Sequence, residues 1–189
     1  TAIMVQSPAV QALLLSLSSD VLLEITVGAA LAIAAYSSLA IVLLTATLAA
    51  SGAIPMDVAL GLTLGANLGS GLLGLVAMSR SPVEVRHVPM GNLVFKCAGV
   101  VLAAPLVALW LRHVGPLLGH PATVVVAFHL GFNILIALLF IGLTGAVGRH
   151  VQRWMPVPDK NLMAGRPHHL DPTALATPSL AISCAAREA

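Results

Sequence analysis

The chain is poor in charge: Asp, Glu, Lys and Arg make up 8% of its 189 residues, and nine basic against seven acidic side chains leave almost no excess of either sign. A nucleic-acid binder needs a basic face, and the few charges here fall between apolar stretches or in the C-terminal tail, so that class is excluded. Cysteine is equally scarce. Cys97 lies in an apolar segment and Cys184 in the polar tail, two different environments, and neither belongs to a CxxC or Cys/His cluster; no disulfide or zinc site is implied. The opening TAIMVQSPAV lacks both Met and a basic n-region, so it is not a signal peptide and reads as a cut inside a longer chain. The expectation is a fragment. What the chain has in abundance is apolar side chains, 58% of the total, with a mean hydropathy of +0.98. That composition defines an integral membrane protein.

Pro8 to Ser19 reads as a short apolar helix ending at Asp20, about a dozen residues against the roughly 20 that a span needs, and so as the tail of a helix begun upstream. From Leu22 to Ala50 the apolar run is about 29 residues, which at ~1.5 Å per residue exceeds the ~30 Å hydrocarbon layer. Tyr36, Ser37 and Ser38 interrupt it near the middle, and the two halves are each too short to cross. A re-entrant hairpin with its tip near the midplane follows, with a single tilted helix as the alternative. Met56 to Ser79 opens on Pro55 and Asp57 and carries Gly61, Gly65, Gly69, Gly71 and Gly74. Glycine at four-residue spacing lets helices pack closely; Asn67 and Ser70 at membrane depth favour instead an unwound centre, a second break in the sequence GANLGSG. Val88 to Trp110 and Thr123 to Val147 are further spans, separated by LRHVGPLLGHP.

Arg80 and Arg86 share one short loop, and Arg149, Arg153, Lys160 and Arg166 follow the last span. These regions lie on one side, two spans apart, and their basic excess makes it the cytoplasmic side, with Asp20, Glu24, Asp57 and the mouth of the hairpin outside. After Arg153 the prolines 156, 158, 167, 172 and 178 punctuate a polar linker, until Thr177-Pro178 opens a helical pattern. The boundaries expected are therefore a membrane repeat over residues 1–153, a cytoplasmic Pro-rich linker over 154–177 and the start of a helical domain over 178–189.

Among the intramembrane polar residues, His129 and Asn133 stand four apart on one span and Asn92 and Lys96 repeat the spacing on the previous one. The asparagines serve either as interhelical hydrogen-bonding glue or as ligands. Lys96 lies roughly 12 Å into its span, within snorkelling reach of the interface, and attraction of an anion is the sharper reading. His129 reads as a packed, hydrogen-bonded histidine, and His168-His169 as an exposed pair. The serine tip can hold an oxyanion with help from a half-helix N-terminus, while unwound carbonyls suit a hard cation such as sodium.

The order of GAALAIAAYSSLAIVLLTATLAASG, GLTLGANLGS, VRHVPMGNLVFKCAGV and AFHLGFNILIALLF resembles the second half of bacterial sodium-dependent phosphate cotransporters of the Na/Pi type II family, over nearly the whole chain. In that family two inverted repeats each carry a QSSSA-like hairpin tip and a GANIGTT-like break, which meet to bind phosphate and sodium. The resemblance implies that Ser37, Ser38 and Ala40 match the serine tip and that Gly65, Ala66, Asn67, Gly69 and Ser70 match the second motif. It also makes the tail the approach to a PhoU-like helical domain. Ala35-Tyr36 stands where polar residues including Gln are frequent, Leu39 replaces a Ser, and Gly71 replaces a Thr, so fewer hydroxyls line this half. With the first repeat absent, half of the implied site is missing, and either that repeat or a second copy would have to complete it.

The expectation is thus an all-α polytopic protein of the cytoplasmic membrane, not an enzyme: half of an inverted-repeat transporter with a re-entrant hairpin and a broken helix, performing sodium-coupled phosphate symport. Ser37, Ser38, Gly65, Asn67, Gly69 and Ser70 are its expected substrate ligands, Asn92, Lys96, His129 and Asn133 secondary candidates, and Ser38 and Asn67 the sodium ligands. No other cofactor is expected. Two other readings use the same residues: a regulatory membrane anchor acting through the tail, and an intramembrane serine protease with Ser70 as nucleophile and His129 as base.

Overall fold

The computed structural model describes residues 20–157 and 177–188. The short helix expected over Pro8 to Ser19, most of the Pro-rich linker and the His168-His169 pair lie outside them. The chain divides into two units, Thr1–Met155 and Pro156–Ala189.

The described part of the first unit is helical throughout. Asp20 caps α1 (Val21–Ala34), its Oδ1 accepting from the amides of Leu22 and Leu23 at 2.9 and 3.2 Å. The long apolar run stops where the polar triplet interrupts it: Tyr36 takes φ 50°, and the amides of Tyr36 and Ser37 bond back to Ile33 and Ala32 carbonyls, each at 3.1 Å. This is the double bond that ends helices on a left-handed residue, here a tyrosine where glycine is usual. Ser37 then caps α2 (Ser38–Ala50), accepting from the Ala40 amide at 3.1 Å.

The central element is α3 (Met56–Ala77), an uninterrupted helix of 22 residues, 67% buried against 22% for each of the other two long apolar helices. The expected break at GANLGSG is not there. Its polar side chains are satisfied without unwinding, by bonding back along the helix: Thr63 Oγ1 to the Ala59 carbonyl (2.8 Å), Asn67 Nδ2 to Thr63 O (3.0 Å) and Ser70 Oγ to Asn67 O (2.7 Å). Three of its glycines instead serve close packing against α1. A Cβ on Gly61 would meet the Glu24 side chain, one on Gly65 the Ile25 carbonyl, and one on Gly69 would lie 2.6 Å from the Ala29 carbonyl; reciprocally, a Cβ on Gly28 would meet the Leu62 carbonyl. Since contacts advance along both helices together, α1 and α3 run parallel, and α2 is the return stroke between them.

The remaining spans run longer than the hydropathy pattern suggests. α4 (Val83–Ala103) begins just after Pro82, five residues before the expected Val88, and carries Pro89 inside it. A 3-10 turn at Ala104–Leu106 passes into α5 (Val107–His113), and a short α6 (Gly115–Leu118) leads to α7 (Pro121–Phe140). After a second 3-10 turn, Ile141–Leu143, comes the amphipathic α8 (Thr144–Trp154). His87 Nε2 donates to the Met155 carbonyl at 2.8 Å, which ties the end of α8 to the start of α4. Helices long and apolar enough to cross a membrane therefore cover Met56–Ala77, Val83–His113 and Pro121–Trp154. Val88, Val101, Leu109, Leu138 and Leu139 are exposed, an apolar exterior suited to lipid. In the second unit, α9 (Pro178–Glu188) starts on Pro178, with the amides of Leu180 and Ala181 bonded to the Thr177 carbonyl.

Candidate functional site

Asn67 is completely buried, on the face of α3 that meets α7 and α4. One of its amide hydrogens goes to Thr63 O, and its Nδ2 lies 3.1 Å from His129 Nδ1, so the imidazole accepts there and, when neutral, carries its proton on Nε2. Its Oδ1 accepts from Asn133 Nδ2 at 2.9 Å, and Asn133 also donates to the His129 carbonyl at 2.8 Å. Both donors and the acceptor of Asn67 are thus engaged within the protein. Asn67 organises the cluster and has no amide hydrogen left to offer a ligand.

One turn along, Ser70 donates to the Asn67 carbonyl and accepts from Lys96 Nζ at 2.7 Å. Lys96 points into the bundle. The snorkelling expected from its depth is not the conformation it adopts, because Ser70 supplies an oxygen inside. No acidic residue occurs between Glu84, in the first turn of α4 and about 18 Å along the helix from Lys96, and Asp159, so the ammonium has no carboxylate within reach on α4 or α7 to pair with, and two of its three hydrogens stay available. Beside it lies a cavity of about 360 Å³ lined by Asn92, Lys96, Asn133, Thr144 and the stacked pair Phe95 and Phe140, whose rings are 4.9 Å apart.

Of the residues singled out from the sequence, Asn67, Ser70, Lys96, His129 and Asn133 form one hydrogen-bonded chain, and Asn92 joins Lys96 and Asn133 at the cavity. Gly65 and Gly69 face α1 and take no part beyond packing. Among the described residues no hydrogen bond links Ser37 or Ser38 to the cluster; the Ser37 hydroxyl caps α2. Sequence reasoning missed Thr144 and Phe95, and no polar spacing could have flagged them.

The protease reading fails on this geometry. Ser70 is bonded to Lys96 and to the Asn67 carbonyl, and His129 to Asn67, with no hydrogen bond between Ser70 and His129 among the described residues. Ser70 also sits in mid-helix, where the backbone amides are already engaged and no oxyanion hole is offered. Among the described residues no group of three or more His, Cys, Asp or Glu could hold a metal ion, and both cysteines are free.

The fold and the cluster define a helical membrane protein with a polar, cationic site between its spans. Proteins called YjbB, provisionally named for inorganic phosphate export, are similar over 186 residues, 97% of this chain: that of Escherichia coli is 42% identical and that of Salmonella typhimurium 40%. An uncharacterized protein of Bacillus subtilis, YqeW, is 29% identical over 105 residues, 56% of the chain. The chain spans about a third (34%) of the length of these relatives. No family model matches, and no solved structure matches. The relatives' names correct the expected activity: they speak of phosphate export, against the sodium-coupled symport that the family resemblance implied, and they lend nothing to a regulatory anchor.

Proposed function

We propose that this chain forms part of a path for the export of inorganic phosphate across the cytoplasmic membrane, with the anion bound in the cavity beside Lys96. The observation that carries the reading is an inward-pointing ammonium, bonded only to Ser70 among the described residues, with no acid on α7 and none on α4 beyond its first turn. A charge at membrane depth is costly and is retained where it meets a counter-charge. Phosphate supplies that counter-charge, and Asn92, Asn133 and Thr144 can bond its remaining oxygens. Asn67 and Ser70 act behind them by fixing Lys96 and Asn133.

The position of the cavity suits export. Asn92 belongs to the first half of α4 and Thr144 to the start of α8, so the cavity lies toward the end of the bundle that carries Arg80, Arg86, Arg149 and Arg153. Basic residues favour the cytoplasm, where an exporter collects its substrate. The parallel register of α1 and α3 supports a re-entrant hairpin with Ser37 near the depth of Ser70: Ala32 stands beside Gly69, and the turn follows at once. Such a hairpin is in keeping with one repeat of a Na/Pi-like inverted pair, the other repeat coming from chain beyond these residues.

Phosphate titrated into the purified chain in detergent, followed by calorimetry, tests the site. Loss of a charge-assisted hydrogen bond costs about 1.5 to 3 kcal/mol, so Lys96→Ala should weaken binding by roughly 10- to 150-fold. Lys96→Arg should retain part of the affinity. Unchanged affinity in Lys96→Ala would refute the site.

A further inference from the structure

The acidic end of the first unit holds a group that the phosphate site leaves unused. Glu24, in the first turn of α1, is 3% exposed, and its carboxyl lies over Gly61 of α3, on the space that a Cβ there would fill. Among the described residues no hydrogen bond or ion pair reaches that carboxyl. Every charged group near it is acidic: Asp20 from the cap of α1 and Asp57 from the first turn of α3, with no titratable side chain on α2. The sequence excludes a local rescue, since the first 79 residues contain three carboxylates and no Lys, Arg or His. Burying an unpaired carboxylate among like charges is expensive, whereas burying a protonated one costs little.

We propose that Glu24 is a proton-binding site: its carboxyl takes up and releases a proton at the contact of α1 with α3, and the bound proton holds the two helices together. Asp20 and Asp57 are both exposed, so protons reach bulk water past them with no other carrier. α1 is not one of the three spanning helices, and burial first, then Asp57 and Asp20, pushes the Glu24 carboxyl up to about 7. Ionisation near neutral pH would place a charge against Gly61, one turn from the backbone approach of Gly65 to Ile25, and would loosen the contact that carries the Ser37 turn. Proton occupancy thereby becomes a means of moving the hairpin, independent of what the cavity beside Lys96 binds.

The chain contains only three glutamates, Glu24, Glu84 and Glu188, so carbon-13 labelling of glutamate carboxyls gives a tractable NMR titration in detergent micelles. Glu24→Gln identifies the signal, and should that variant not fold, the signal whose midpoint falls in Asp57→Asn identifies it instead. The expected midpoint is near neutrality. Because the folded state holds the proton more tightly than the unfolded state, thermal stability should be full below about pH 4.3, the ordinary glutamate value, and decline as pH rises toward 7. In Glu24→Gln that decline should be absent. A Glu24 carbon titrating in the ordinary range, or a wild-type stability curve with the slope of Glu24→Gln, would overturn the proposal.

Discussion

At the scale of single residues, Asn67 holds the site together. Its side-chain amide reaches three partners, Thr63 on its own helix and His129 and Asn133 on α7, while its backbone carbonyl accepts from Ser70, which in turn holds Lys96. Asn67→Ala would leave one amide hydrogen of Asn133 and His129 Nδ1 without a partner in a half-buried place and open a small void. Buried polar groups left unpaired cost about 1 to 3 kcal/mol, so a loss of roughly 2 to 4 kcal/mol is expected once the void is included. Denaturation of the chain in mixed micelles measures it, and phosphate affinity should fall alongside although Asn67 has no donor free for the anion. Several of these residues were legible beforehand, because polar side chains four apart in an apolar span advertise a shared face. Their roles were not. Spacing says which residues lie together on a helix and nothing about which face meets which, so Asn67 read as a ligand is a support. Lys96, judged by depth alone, read as a snorkelling residue until the Ser70 hydroxyl, 26 residues away, was found inside with it.

At the scale of elements, the two interruptions seen in the sequence turned out to be physically different. Tyr36-Ser37-Ser38 stops a helix because Ser37 is an N-cap and Tyr36 accepts the left-handed turn. The GANLGSG stretch does not, because its hydroxyl and amide groups bond to carbonyls on the same helix while its glycines admit α1. Hydropathy cannot separate these cases, since both present polar or small residues in an apolar run. Two alanine substitutions can. In Gly65→Ala the new Cβ would meet the Ile25 backbone, which cannot move aside alone, whereas at Gly74 the nearest atom is Pro89 Cβ at an ordinary 3.5 Å. Gly65→Ala should therefore destabilise by an amount in the range of about 1 to 3 kcal/mol typical of overpacking, and Gly74→Ala should be neutral or stabilise by up to ~1 kcal/mol through helix propensity. A helix unwound at its centre would show no such contrast, so equal unfolding midpoints for the two variants would count against the continuous α3.

At the scale of the molecule, charge is sorted along the chain: only acids precede Arg80, and only bases lie between Glu84 and Asp159. Folding turns this order into an axis. The parallel start of α1 and α3 gathers Asp20, Glu24 and Asp57 at one end, while the loop after α3, the start of α4 and helix α8 bring Arg80, Arg86, Arg149 and Arg153 to the other, joined by the His87 bond to Met155. The direction of this axis was legible in the loop charges, but the direction of transport was not, since one site opening on the cytoplasm can serve either flux. The relatives' names speak of export, and the proposed direction rests on them. If the basic end faces the cytoplasm, then in a background where Cys97 and Cys184 are replaced by Ser, a Ser51→Cys variant should react with an impermeant maleimide in intact cells. Ser51 is exposed at the end of α2, on the acidic side. Gln152→Cys, exposed on α8, should react only in inverted vesicles. The opposite labelling would turn the axis over and put the cavity beside Lys96 toward the outer face, where an exporter would release phosphate instead of collecting it. Outward passage would then have to begin at the acidic end, against the charge of Asp20 and Asp57, and the export reading would lose its electrostatic support.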